Sequence, residues 1–117
     1  MRARGPDFKS CVEQSNARWC LERIASVRKE LTKYVYPNKA GLDVTVFVID
    51  TGVNVDHVEF EGRARRCANF VKTESPNDLN GHGTGVASLV AGAKAGAAKN
   101  AKICALKVLN ARGSGTT

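Results

Sequence analysis

Between Val44 and Ile49 the chain sets Val44, Val46 and Val48 on one side of an extended segment and Thr45, Phe47 and Ile49 on the other. Both sides are largely apolar. That predicts a strand covered on both faces, as in a parallel sheet flanked by helices. The run stops at Asp50-Thr51-Gly52. His82 to Gly92 reads as a helix of small and apolar residues, Lys94 to Asn100 as a polar turn rich in alanine and glycine, and Ile103 to Leu109 as a second strand buried on both faces. Strand, helix and strand of these lengths suit a right-handed parallel crossover, so the fold class is α/β.

Elsewhere the pattern is weaker. Trp19 to Leu31 carries Leu21, Ile24, Val27 and Leu31 at helical spacing, and Tyr34-Val35-Tyr36-Pro37-Asn38 breaks it, with Pro37 and Gly41 as punctuation. Val53 to Asn80 is a long irregular connection with room for a short strand around Cys67 to Val71; connections of that length are usually functional. Asn110 to Thr117 is rich in glycine and serine, and the chain contains no repeat or low-complexity tract.

The 117 residues suffice for one small domain, and 43% hydrophobic with 25% charged residues is ordinary for a globular protein. No apolar run approaches a membrane span, and no apolar stretch follows the basic start Met1 to Arg4, so neither a span nor a secretory signal peptide is expected in this chain. The net charge of +7 raises a nucleic-acid partner, but the basic residues are scattered pairs such as Arg28-Lys29 and Arg65-Arg66. The aromatics, 6% of the chain, are not interleaved with them, so a solvated basic surface is the expectation. Cys11, Cys20, Cys67 and Cys104 form no CxxC pair and have no histidine at zinc-ligand distance, which argues against a metal site. Cys104, inside an apolar run, is expected as a buried thiol. Cys11 and Cys20 could bridge in an oxidising compartment, a point the spacing leaves open.

Two residues carry candidate chemistry. Asp50 directly follows an apolar strand, and the carboxyl ends of strands are where open α/β sheets hold their ligands, although a turn aspartate bonding its own backbone fits the same position. His82 stands in Asn80-Gly81-His82-Gly83-Thr84-Gly85-Val86-Ala87 at the first turn of the predicted helix. Glycine inside a helix costs roughly 1 kcal/mol relative to alanine. Close approach of this helix to a neighbouring strand would offset that cost at Gly83 and Gly85, and Ala87, Ser88 and Ala91 extend the same slim surface. A helix start also disfavours a cation, which suits a general base, and a buried carboxylate would orient such a ring. Asp50 is the candidate for that carboxylate.

With these residues in view, Val46-Phe47-Val48-Ile49-Asp50-Thr51-Gly52 resembles the aspartate block of subtilisin-like (peptidase S8) serine proteases, and Asn80-Gly81-His82-Gly83-Thr84 their histidine block. Ala17 to Ile24 resembles the start of the mature enzyme, His57 to Arg63 the loop after the aspartate, and Ala98 to Leu109 with Gly113-Ser114-Gly115 the strand leading into the substrate cleft, most like the proteinase K branch. The resemblance implies a serine endopeptidase with a subtilisin-like fold, an N-terminal segment over 1–40 and the first part of the catalytic domain over 41–117. Asp50 and His82 would be two triad members, and Gly113, Ser114 and Gly115 the start of an edge that pairs with a polypeptide substrate by strand addition. His57 carries no catalytic implication. The resemblance also implies a monomer, a secreted or vacuolar location and no cofactor beyond calcium, for which no site is assignable, and it implies neither a nucleic-acid nor a membrane partner.

The family order is Asp, His, then a distant Ser, and none of Ser10, Ser15, Ser26, Ser75, Ser88 and Ser114 lies in a Gly-Thr-Ser nucleophile block. The chain is therefore expected to be an N-terminal piece that is inactive alone. A non-catalytic relative that keeps the scaffold as a binding or inhibitory module is the alternative. Asp-Thr-Gly after an apolar strand also marks short homodimeric aspartic proteases, but that reading leaves the histidine block unexplained. Gly85 departs from the pattern, since the family often has a second histidine there. Strands apolar on both faces need neighbours, so the isolated chain is expected to be poorly soluble or molten.

Overall fold

The computed structural model describes residues 10–27 and 33–117. Its centre is a three-stranded parallel sheet of β3 (Thr45–Asp50), β4 (Ala64–Asn69) and β5 (Lys102–Lys107), ordered β3-β5-β4. β3 pairs with β5 from Thr45↔Lys102 to Asp50↔Lys107, and β4 pairs with β5 through an irregularity between Arg66 and Ala68. Helix α2 (His82–Ala91) connects β4 to β5 and packs on one face of the sheet.

The helix lies close because the residues facing the sheet are minimal. Gly83, Ala87 and Ala91, spaced four apart on one face, are all buried. A Cβ built on Gly83 would stand 2.0 Å from the Gly52 carbonyl oxygen, so the helix start rests directly on the chain as it leaves β3. The close approach expected from the glycine pattern is there at Gly83. Gly85 has no neighbour within 4 Å of a built Cβ and owes nothing to packing. Around this contact Val48, Val53, Phe60, Ala87, Ala91, Ala101, Ile103 and Ala105 form the core.

Several expectations change. β3 is covered on one face only: Val48 is 4% exposed, whereas Phe47 and Ile49 on the other face are 61% and 65% exposed, because no second layer lies over that face among the described residues. The strand expected near Cys67 runs from Ala64 to Asn69, and it pairs with β5. Cys104 is buried, but it is not a thiol: it is bridged to Cys67 across β4 and β5. Cys11 and Cys20 are not bridged to each other.

The first forty residues hold more structure than their mixed polarity suggests. β1 (Cys11–Ser15) pairs antiparallel with β2 (Lys33–Pro37), and α1 (Trp19–Ala25) lies between them in sequence and packs on β2. α1 ends at Ala25, where Ser26 turns extended, so Val27 of the expected apolar stripe falls outside the helix; Ile24, inside it, and Val27 are both solvent-exposed. Leu31 lies outside the described residues. β2 is anchored by Tyr34 and Tyr36, two apart and so on one face, whose rings stack with centroids 5.1 Å apart. The buried Lys99 ammonium sits over both rings, and the Tyr34 hydroxyl donates to the Ala97 carbonyl at 2.8 Å.

Candidate active site

Asp50 closes β3 and His82 opens α2, and the Gly83–Gly52 contact brings these two element ends together. His82 Nδ1 lies 2.9 Å from each Asp50 carboxylate oxygen. The Thr51 N–H donates to Asp50 Oδ1 at 2.7 Å, and the carboxylate side chain is only 13% exposed against 65% for the imidazole. An ionised carboxylate can only accept, so Nδ1 carries the proton of the neutral ring and Nε2 is left with the lone pair. A ring held in that tautomer by a buried carboxylate is suited to take a proton from a nucleophile.

Asp78 holds the histidine turn in place. Its Oδ1 accepts from Thr51 Oγ1 at 2.7 Å and from the N–H groups of Asn80 and Gly81 at 3.1 and 2.8 Å, while Oδ2 accepts from the Thr84 N–H at 2.9 Å and from Thr84 Oγ1. Partial burial pushes the Asp78 carboxyl up, but the Thr84 hydroxyl, the Gly81 N–H, the Thr51 hydroxyl and the Thr84 N–H together bring it down to about 2. Thr51 Oγ1 also accepts from the Gly83 N–H at 2.9 Å, so one hydroxyl joins the strand exit, the aspartate and the helix start. Gly81, the N-cap of α2, is left-handed at φ 100°, which favours glycine at this turn.

Gly113, Ser114 and Gly115 are exposed and lie beyond β5, joined to the dyad by no direct hydrogen bond. They form a turn folded onto the preceding residues. The Ser114 carbonyl accepts from the Asn110 N–H, the Ser114 N–H donates to Asn110 Oδ1, and a Cβ on Gly115 would meet Leu109 and the Val108 carbonyl. The link to the histidine turn runs through Asn80, whose side-chain amide donates to the Ala111 carbonyl at 2.9 Å and whose Oδ1 accepts from the His82 N–H at 3.1 Å. His57 is exposed and caps the 3-10 turn Val58–Phe60 by accepting from the Glu59 N–H.

Comparison with known proteins gives the family of the chain. The Peptidase S8 family model, described as the subtilase family, matches residues 41–117. The chain is 49% identical over 108 residues to a subtilisin-like protease of Coccidioides posadasii, covering 92% of this chain and 27% of that protein. It is 48% identical over 112 residues to the subtilase-type proteinase isp6 of Schizosaccharomyces pombe, covering 93% and 24%. The chain belongs to the subtilase family. The crystal structure of a cold-adapted subtilisin-like serine proteinase superposes with a TM-score of 0.80 at 43% identity, covering 87% of this chain and 38% of that one. The α/β fold with its parallel sheet is thus the subtilisin-like fold in part. The chain spans about a quarter of the length of these two curated relatives.

Within this subtilase chain the sequence reading missed Asp78, Lys107 and Glu74. Lys107 is 1% exposed although it ends an otherwise apolar strand, and its Nζ donates to the carbonyls of Thr51 at 2.8 Å and Leu109 at 2.9 Å. Glu74 lies 3.1 Å from that ammonium and accepts from the Ala111 N–H at 3.0 Å; the Ala111 bond first, then Lys107, hold its carboxyl below the ordinary value. The signal available for Asp78 was its place four residues before His82 in Asn77-Asp78-Leu79-Asn80, a cluster of the residues that bond turn backbones. Among the described residues, no group of three or more His, Cys, Asp and Glu is arranged to hold a metal ion, so no calcium site is assigned to them. Nor is any of their helices long and apolar enough to cross a membrane.

Proposed function

We propose that this chain supplies the aspartate and the general base of a serine endopeptidase. Asp50 orients and stabilises the imidazole, and His82 Nε2 takes the proton of a serine nucleophile that this chain does not provide. The observation that carries the reading is the bond from His82 Nδ1 to a nearly buried Asp50 at 2.9 Å. Among the described residues the ring has no serine partner, so the 117-residue chain alone is proposed to be inactive. The substrate is a polypeptide, paired in extended form against the segment at Gly113 to Gly115 once that turn opens. A secreted or vacuolar compartment is supported by the Cys67–Cys104 disulfide, a bond that persists in oxidising surroundings.

The test is a graft. Residues 41–117 replace the matching segment of the S. pombe relative, and peptide hydrolysis and fluorophosphonate labelling are measured. Activity is expected, with His82→Ala lowering kcat on the order of a million-fold and Asp50→Asn on the order of ten-thousand-fold, magnitudes known from subtilisin itself and from a triad of the same geometry on an unrelated fold. A graft that folds yet hydrolyses nothing would instead favour the scaffold as a binding or inhibitory module.

A further inference from the structure

A buried lysine rarely occurs without partners, because the ammonium must replace its lost hydration. Two of the hydrogen bonds of Lys107 go to carbonyls, of Thr51 beside the dyad and of Leu109 at the start of the segment that leads to Gly113. The ammonium also lies 3.1 Å from Glu74 Oε2, a buried oxygen that no other donor among the described residues reaches. The other oxygen of Glu74 holds the Ala111 N–H, the Ala111 carbonyl holds Asn80, and Asn80 holds the His82 N–H. From Thr51 the path returns through its N–H to Asp50 and so to the His82 ring. The contacts close into a circuit. A lysine that served packing alone would have no reason to join these particular elements.

We infer that Lys107 and Glu74 are a positioning pair that couples the 109–115 segment to the Asp50–His82 dyad, so that displacement of one is felt by the other. The inference rests on the catalytic reading of the dyad. It assigns the buried ion pair a task in aligning the substrate edge with the base, although neither residue reaches the reacting atoms.

The experiment uses the full chain at low concentration and follows two signals: hydrogen exchange of the Ala111 amide, and the ¹⁵N and Nδ1-proton resonances of the His82 ring. In Glu74→Ala and in Lys107→Met, Ala111 is expected to exchange at least tenfold faster and the His82 ring signals to move. The double variant should show no more than either single change, as for two residues acting as a unit. Glu74→Gln keeps an acceptor for Ala111 while removing the charge, so it still reports on the ring signals if Lys107→Met fails to fold. Folded variants with an unmoved His82 ring would overturn the coupling alone. In the unaltered chain, an unprotected Ala111 would overturn the coupling alone, whereas the lack of an Asp50-bonded Nδ1 proton would overturn the catalytic reading and the coupling together.

Discussion

Asp78, four residues before His82, gathers five hydrogen bonds onto one carboxylate, and this load makes acid the informative perturbation. Its carboxyl is depressed from 3.8 to about 2, so it binds its proton less readily folded than unfolded. The stability it contributes is fully present above the ordinary value and is lost as pH falls toward about 2. Because the group is partly open to solvent, that contribution is on the order of 1–2 kcal/mol. Denaturant unfolding between pH 5 and 2 should therefore show a slope that Asp78→Asn flattens, with the variant about 2 kcal/mol less stable at neutral pH from the lost charged hydrogen bonds. The positions of Asp50 and His82 were legible because each stands where an element changes: a carboxylate ends an apolar run, and an imidazole opens a glycine-laced helix. Asp78, Glu74 and Lys107 were not. A loop carboxylate reads the same whether solvated or organising a turn, and a lysine ending a strand is ordinarily taken to reach water.

At the scale of elements, two glycines of α2 give opposed expectations although they stand two residues apart. Gly83→Ala would drive a methyl into the Gly52 carbonyl, a backbone atom that cannot step aside, and should cost about 3 kcal/mol, with loss of the His82–Asp50 contact. Gly85→Ala, two residues on in open space, should instead stabilise by about 0.5–1 kcal/mol. Thermal unfolding of the two variants separates a glycine required by packing from one that is not. The Cys67–Cys104 bridge closes a loop with a sequence separation of 37 that contains the whole histidine turn. Cys67→Ser should lower unfolding stability by about 3–4 kcal/mol on the loop-entropy estimate, measured against the unreduced parent. β3, β5 and α2 were readable because their apolar runs are long and uniform, whereas the bridge was not, since β4 comes beside β5 only after the sheet forms. β1 and β2 escaped for another reason. Five-residue strands with a mixed polar face acquire their meaning from tertiary contacts, Tyr34 and Tyr36 under Lys99, that no local window contains.

For the molecule as a whole, the sheet leaves one problem in view. β3 is an edge, its outward face carries Phe47 and Ile49 largely exposed, and Leu42 and Val44 just before it are half exposed. An open strand edge beside apolar side chains is a template for pairing with another chain. The other face of the same strand holds Val48 in the core, so the two faces can be tested separately. The isolated chain should therefore self-associate as its concentration rises, and Phe47→Lys should suppress this, since an exposed charge on an edge strand opposes pairing while the core face is untouched. Sedimentation of the parent and the variant over a hundredfold concentration range would measure it. The His82 ring spectrum should stay unchanged in the variant, because Asp50 and α2 lie on contacts that Phe47 does not share. Persistent association of Phe47→Lys would move the cause elsewhere on the surface, to Phe70, Leu79 or Val58, each exposed and none on β3.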